Sequence, residues 1–456
     1  MTTTIESAAI DDMRTRFSGL LLGPDDAGYE EARMIHNGMI DKRPAVIAGC
    51  RGASDIIEAV KFARTAGLEI AVRGGGHNVA GNAVCDDGIM IDCSLMKGVF
   101  VDKNERTALA QTGVTWGELN RETQLHGLAT TGGEVSSTGI AGLTLGGGFG
   151  WLMSKHGLAA DNVLSVQIVT AAGDLLTASA DENPDLFWAL RGGGGNFGVA
   201  ASIEYRLHPV GPTVVSGLVA HPLDKATDVL RFFREFTADI PDELTAWAGM
   251  LHAPDGSGAP IAAIAACHCG ETARAEAAVR PIKEFGAPIM DVMGPQSYTA
   301  TNAMLDAGFP RGALNYWKSS FVRDLNDEAI ATIAGKFGTC PSAMSGLLVE
   351  HIHGAVTRVP PDGTAFPHRQ RGYSLLVVSQ WMDPAESDEN IAWARETYDA
   401  LEPYRAVGRY VNYIGDEGAE DPAPAAYGIN YERLRSIKTK YDPENLFHGN
   451  QNIRPA

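Results

Sequence analysis

Long apolar runs are missing from this chain of 456 residues; none approaches the roughly 20 consecutive apolar positions that a membrane-spanning helix needs. The opening Met1-Thr2-Thr3-Thr4-Ile5-Glu6-Ser7 lacks both the basic and the apolar stretch of a secretory signal, so a cytoplasmic protein is expected. Cysteine is scarce: Cys50, Cys85, Cys93, Cys267, Cys269 and Cys340 are spread too thinly for a disulfide scaffold and read as reduced thiols. Cys267-His268-Cys269 has no second Cys/His pair at zinc-site spacing, so a metal is not expected and the two thiols read as small buried hydrophobes of a strand. Basic residues are too few to balance the acidic ones, 37 against 56, and a net charge of −19 repels nucleic acid and anionic lipid. Neither nucleic acid nor a membrane is an expected partner. Repeats and low-complexity tracts are also absent. What remains, 45% apolar and 20% charged residues, is the composition of a globular protein too long for one core, with two or three domains.

Glycine is the residue in excess, at 52 positions. Much of it falls in three runs: Arg73-Gly74-Gly75-Gly76-His77, Gly142 to Gly150 (GLTLGGGFG), and Arg191 to Gly198 (RGGGGNFG). Glycine is costly to order, so dense runs mark places where backbone must come close to something. All three lie between residues 70 and 200, which points to one ligand contacted from several loops.

Strand and helix alternate around these runs. Pro44–Gly49 reads as a strand, followed by a helix capped by Ser54 and stopped by Gly67. Leu68–Val72 is the next strand and enters the first glycine run directly. Asn183-Pro184 opens a helix through Leu190, and Val199–Tyr205 returns as a strand. From about residue 211 glycine thins, and the pattern becomes α+β: helices near 224–237 and 272–285, strands at 214–220, 260–269, 346–353 and 373–381. A short aromatic strand, Tyr410 to Tyr413, and a helix from Asn430 through Tyr441 close the chain.

Gly193-x-Gly195-x-x-Gly198 matches the dinucleotide fingerprint as a pattern, but it follows a helix and opens a strand, the reverse of what a Rossmann site requires. The runs can still hold a pyrophosphate, because successive bare N–H groups form a cradle for anionic oxygens. His77 ends a strand-plus-glycine turn, where a side chain is held against whatever lies on the loop.

Val72 to Asn78, the Gly133–Gly150 stretch, Asn196-Phe197-Gly198-Val199, and the C-terminal Tyr441-Asp442-Pro443-Glu444-Asn445-Leu446-Phe447 with Asn450-Gln451-Asn452 together resemble the berberine-bridge-enzyme-like flavoproteins of the vanillyl-alcohol-oxidase/p-cresol-methylhydroxylase superfamily. The likeness runs from about residue 38 to the end, and the length resembles that of small bacterial members. It implies an α+β fold: a two-part FAD-binding domain made of residues 1–210 and a returning segment 405–456, around a substrate domain, 211–404, with a large antiparallel sheet flanked by helices. It implies FAD bound by Arg73, Gly74, Gly75, Gly76, His77 and Asn78, by Gly133, Thr138, Gly139, Gly142, Gly146, Gly148 and Gly150, by Asn196, Gly198 and Val199, and by Tyr410, Asn412, Asn450 and Asn452. His77 stands where relatives bond a histidine to the 8α-methyl carbon of the flavin. Relatives with a second, cysteinyl link carry the thiol where this chain has Val135, so a single linkage is expected. Thr138 matches the position that gates oxygen; its small size leans toward an oxidase.

The resemblance also implies chemistry. Hydride removal from an alcohol needs a base for the hydroxyl proton, and Tyr413 matches the tyrosine that serves in relatives. With an unperturbed pKa of about 10, it needs a cationic or hydrogen-bonding environment to favour phenolate. Amine-oxidising relatives use a glutamate on the strand that here reads Ser374 to Trp381, without a carboxylate. Glu350, His351 and His353 lie on a strand that carries substrate contacts in relatives; the two histidines share one face and Glu350 the other. The expectation is an FAD oxidase taking a small alcohol, sugar or N-heterocycle and passing electrons to O2 as peroxide. The alternatives are a dehydrogenase with a quinone or protein acceptor, and a flavin-binding protein without turnover. Substrate identity and oligomeric state are not legible.

Overall fold

The computed structural model describes residues 7–253, 257–415 and 421–456. Val46–Gly49 and Ile70–Arg73 both pair in parallel with Ile89–Asp92, and Leu20–Leu22 adds an antiparallel edge. Parallel neighbours need a crossover, here the helix Ala53–Ala66, which buries Ile56, Ala59, Val60 and Ala63. Gly67 ends that helix in the left-handed region at φ 64°. Ser54 does not cap it. The residue before the first turn is Gly52, without a side-chain cap, while the neighbouring Asp55 carboxylate accepts from the N–H groups of Ser18 and Arg51, each at 2.8 Å.

A second sheet is antiparallel throughout, with Val99–Asp102, Thr107–Gln111, Val199–Arg206, Val163–Val169 and Leu175–Ser179 side by side in that order. The third glycine run leaves the helix Pro184–Ala189 and enters the strand Val199–Arg206, so the order of elements is indeed the reverse of a Rossmann turn.

The large sheet is an eight-stranded antiparallel sheet. Its long members are Thr213–Pro222, Pro260–His268, Leu244–His252, Gly346–Ile352, Gly372–Trp381 and Leu314–Val322, with Met290–Asp291 and Gly294–Ser297 at the edge. One face carries Ala246, Ala248, Leu347, Val349, Leu375 and Val377 against Val229, Leu230, Phe233, Ile330, Ile333 and Trp393 of the covering helices. The opposite face turns Trp247, Trp317, Leu348, Glu350 and Leu376 toward the glycine loops. No apolar/polar alternation in the sequence announces the strands 244–252 and 314–322. Both are covered on both faces, so their residues do not alternate apolar and polar as a half-exposed strand does.

The C-terminal helix, Tyr431–Tyr441, packs Leu434 and Ile437 into the cluster that holds Leu186, Ala189 and Phe197. Lys438 and Asp442 form a fully buried ion pair at 2.6 Å, and the same ammonium donates to the carbonyls of Asn196 (2.6 Å) and Phe447 (2.8 Å). This ties the end of the chain to the third glycine run. Among the described residues no helix is long and apolar enough to cross a membrane.

Candidate active site

One continuous cavity runs from the glycine loops to the large sheet. Its glycine end is lined by Gly74–Asn78, Gly139, Gly142, Gly194, Gly195 and Gly198, with Asn450. Two of these loops meet backbone to backbone: a Cβ on Gly75 would stand 2.3 Å from the Gly139 nitrogen, and one on Gly139 equally close to the Gly75 nitrogen. Gly142 differs, because a Cβ there would meet no protein atom within 4 Å and would project into open space on the cavity wall. This bare-backbone wall, with no Lys or Arg side chain on it among the described residues, suits an elongated anionic cofactor held by N–H groups, so its residues fit FAD.

His77 lines the cavity half-buried, with its ring stacked on His36 at 3.9 Å. Nε2 lies 2.8 Å from Ser137 Oγ, and Nδ1 lies 3.4 Å from Thr138 Oγ1. Burial, with lesser contributions from His36 and Arg311, pushes its pKa down to about 3, so the ring is neutral and one of its two nitrogens carries a lone pair rather than a proton. Val135 lines the wall nearby. A thiol does line the cavity elsewhere, Cys93, but burial pushes it up to about 12 and keeps it protonated.

Not every expected cofactor residue faces the cavity. Arg73 pairs with Asp92 and donates to Ala32 O. Gly146, Gly148 and Gly150 serve close packing: added Cβ atoms would strike Asn412 Oδ1 at 2.0 Å, Ala159 Cβ at 2.5 Å and Gly132 O at 1.9 Å. Asn196 is buried, donating to Gly193 O and accepting from the Ile453 N–H. Val199 starts its strand in the core, and Asn452 lies off the wall. Gly133, Thr138, Tyr410, Asn412 and Tyr413 are on it.

Tyr410 to Tyr413 is not a strand. Val411–Tyr413 forms a 3₁₀ turn, in which side chains three apart eclipse. Tyr410 and Tyr413 therefore both face inward with rings 4.7 Å apart, where a strand would send them to opposite faces. Tyr410 Oη accepts from the N–H groups of Gly148 and Phe149, each at 3.1 Å, and from Asn412 Nδ2 at 2.9 Å. Asn412 also donates to Leu143 O, which pins the turn to the second glycine run.

Tyr413 Oη donates to Glu350 Oε1 at 2.7 Å. Its surroundings are the opposite of those that favour phenolate: burial and the charges of Glu350 and Glu134 hold its pKa well above the usual range. Glu350, fully buried, is raised by desolvation to about 7. Glu134 is raised as well, by burial and by Glu350. The pairing of the two acids joins a glycine-rich loop to a strand more than 200 residues away, and no local pattern announces it. Glu134 lies inside the Gly133–Gly139 stretch, and a carboxylate in a glycine-rich loop was the available signal. The loop is fastened by Asn302 Nδ2 to Gly133 O at 2.5 Å and by Ser136 Oγ to Asp306 at 2.6 Å.

His351 and His353 do not line the cavity. They stack on each other at 4.6 Å, and His351 lies against Tyr373 on the helix-covered face. His353 bonds to Leu244 O, and both rings are buried. Cys267 and Cys269 sit in an apolar cluster with Trp151 and Tyr298.

Residues 44–179 match the FAD binding domain family, and residues 409–454 match the family described as berberine and berberine like. An FAD-linked oxidoreductase of Dictyostelium discoideum is 31% identical over 418 residues, covering 90% of this chain and 89% of that protein. The (R)-6-hydroxynicotine oxidase of Paenarthrobacter nicotinovorans is 31% identical, with 96% and 97% covered. The crystal structure of 6-hydroxy-D-nicotine oxidase from Arthrobacter nicotinovorans superposes with a TM-score of 0.88, covering 96% of this chain and 98% of that one.

Proposed function

Because the chain belongs to the berberine-bridge-enzyme-like FAD-linked oxidoreductases, we propose that it oxidises a small alcohol, sugar or N-heterocycle at the sheet end of this cavity, with FAD attached through His77 alone and O2 as the electron acceptor. The observation that carries this is the continuity of the cavity from the neutral His77 ring to the Tyr413–Glu350 pair. FAD supplies the acceptor for a hydride drawn from the substrate carbon. The chain supplies the rest. Glycine N–H groups bind the anionic part of the cofactor, and His77, held neutral by desolvation, offers a nucleophilic nitrogen to the flavin methyl position. Tyr413 Oη faces the substrate's O–H or N–H. It takes that proton as its own moves to Glu350 Oε1, so no free phenolate is needed. Phe309, Trp317 and Leu376 wall off water around this transfer.

Two observations favour the oxidase over the acceptor-dependent dehydrogenase and the non-catalytic alternative: Thr138 is small at the flavin end, and a proton-accepting pair is present. The test is anaerobic bleaching of the flavin by substrate candidates, followed by stopped-flow mixing with air. Fast reoxidation with peroxide release is expected; sluggish reoxidation with fast turnover on a quinone would replace the oxidase by the dehydrogenase.

A further inference from the structure

Among the described residues, the sheet end of the cavity holds two carboxyl groups and no cation. Glu350 is fully buried and Glu134 is 8% exposed. Glu350 uses Oε1 to accept from Tyr413 and has the Ser374 hydroxyl beside it on the paired strand, but neither Glu350 Oε2 nor Glu134 Oε1 has a partner at full hydrogen-bond geometry among the described residues. An unmet buried acceptor is costly, and two unmet carboxyl oxygens in one cavity call for a ligand rich in donors. Independent of the acids, the walls beside them are aromatic. Trp247 is the cross-strand partner of Glu350, Trp317 meets the Tyr413 ring at 6.2 Å, and Phe309 meets Trp317 at 5.9 Å. Ring faces attract cations. Acids and π-faces converging in a pocket that no Lys or Arg lines among the described residues make a receptor for positive charge: burial without a cation is what holds both acids toward their neutral forms, and a bound ammonium supplies the missing counter-charge.

Resting on the oxidoreductase function above and narrowing it, we infer that this subsite takes the protonated nitrogen of an amine substrate, seated between Glu134 Oε1 and Glu350 Oε2 and against the rings of Trp247 and Trp317. The substrate class is then an amine with an apolar body, not a sugar or simple alcohol. The electrostatics of the reaction separate the two. Oxidising an alcohol with loss of its proton to Glu350 leaves a neutral carbonyl product, which gains nothing from a second acid at Glu134. Oxidising an amine builds positive charge on nitrogen, which the two carboxyls stabilise. The ammonium first gives one N–H proton to the Glu350 carboxylate, with Tyr413 bridging. The neutral amine's lone pair then forms the C=N bond as the adjacent C–H bond breaks and leaves as hydride with its two electrons to the FAD. The product is an iminium cation whose charge faces Glu134.

The test uses cumylamine, which has no hydrogen on the carbon bearing nitrogen and so binds without turnover, and its alcohol isostere 2-phenylpropan-2-ol. Binding to the FAD-loaded protein is read by calorimetry and by perturbation of the flavin absorbance. The amine is expected to bind at least about tenfold more tightly than the alcohol, and Glu134→Gln is expected to erase that preference by weakening amine binding alone, the loss of a charged hydrogen bond. Trp317→Leu, which keeps an apolar wall but removes the ring face, should lower amine affinity several-fold and serves if Glu134→Gln does not fold. Alongside, 1-phenylethylamine should bleach the flavin anaerobically and 1-phenylethanol should not. Equal binding of the two isosteres, or a Glu134→Gln protein that keeps the preference, overturns the inference. Bleaching by alcohols or sugars but not amines overturns it while leaving the oxidoreductase function intact. Bleaching by neither class in an FAD-loaded protein overturns both.

Discussion

Tyr413 Oη and Glu350 Oε1 stand 2.7 Å apart although 63 positions separate them in the chain. One comes from a 3₁₀ turn near the C-terminus, the other from a central strand of the large sheet. The hydrogen bond makes the tyrosine a donor to a carboxylate, and so a relay whose proton acceptor is the acid.

Removing either partner should cripple the chemical step. Tyr413→Phe and Glu350→Gln are each expected to lower kcat by about 10²-fold or more, the usual contribution of a positioned acid–base group. Glu350 must be ionised to accept, and its pKa is raised to about 7. The wild-type rate should therefore rise with pH through about 7, and this limb should vanish in Glu350→Gln. Steady-state profiles on one substrate check both statements.

The same raised pKa makes a stability prediction. Glu350 moves from 4.5 to about 7 on folding, so the folded state holds its proton more tightly than the unfolded state. Its stabilising contribution is fully present below pH 4.5 and is lost as pH rises through about 7. Glu350→Gln, neutral throughout, should melt at a higher temperature than wild type at pH 8 and gain little at pH 5. Thermal scans at the two pH values decide.

The tether is checked without turnover. Wild-type protein precipitated with acid should stay yellow, whereas His77→Ala should release its flavin on denaturation. Flavin that leaves wild-type protein completely in acid would remove the bond to His77.

Two glycines should respond in opposite ways. Gly142→Leu projects into open cavity space, so flavin content should fall while the fold survives. Gly75→Ala must push a Cβ to 2.3 Å from the Gly139 nitrogen, so it should destabilise by about 1–3 kcal/mol or more, as overpacking does. Flavin absorbance ratios and denaturant unfolding separate the two effects.

Lys438→Met leaves the Asp442 carboxylate buried without its cation and frees the carbonyls of Asn196 and Phe447. A loss of about 3–5 kcal/mol is expected, as for other broken buried pairs. Urea unfolding measures it.

Much of the cavity's glycine end is legible in the sequence. The glycine runs, His77 and the helix-before, strand-after context of Gly193–Gly198 are local, and each can be read within a few residues. The substrate end was less so. His351 and His353 drew attention because histidines share a strand face, yet that face is the one the helices cover. Glu350, on the other face, was noted as a substrate contact but not as the tyrosine's partner. The strands 244–252 and 314–322 went unseen, and with them Trp247 and Trp317, because burial on both sides erases the alternation that announces a strand.

Backbone geometry and chemical type are properties of short segments, so residue order alone established where the chain must turn tightly, where bare N–H groups gather, and which histidine ends the elbow. The meeting of Glu134, Trp247, Trp317, Glu350 and Tyr413 was settled only by folding. Those five side chains come from two loops and three strands, and strand order, pairing register and an i, i+3 turn bring them to one wall. No window of sequence contains that wall. Its charge, and with it the pKa values that decide which group holds the proton, exists only once water has been excluded from around it.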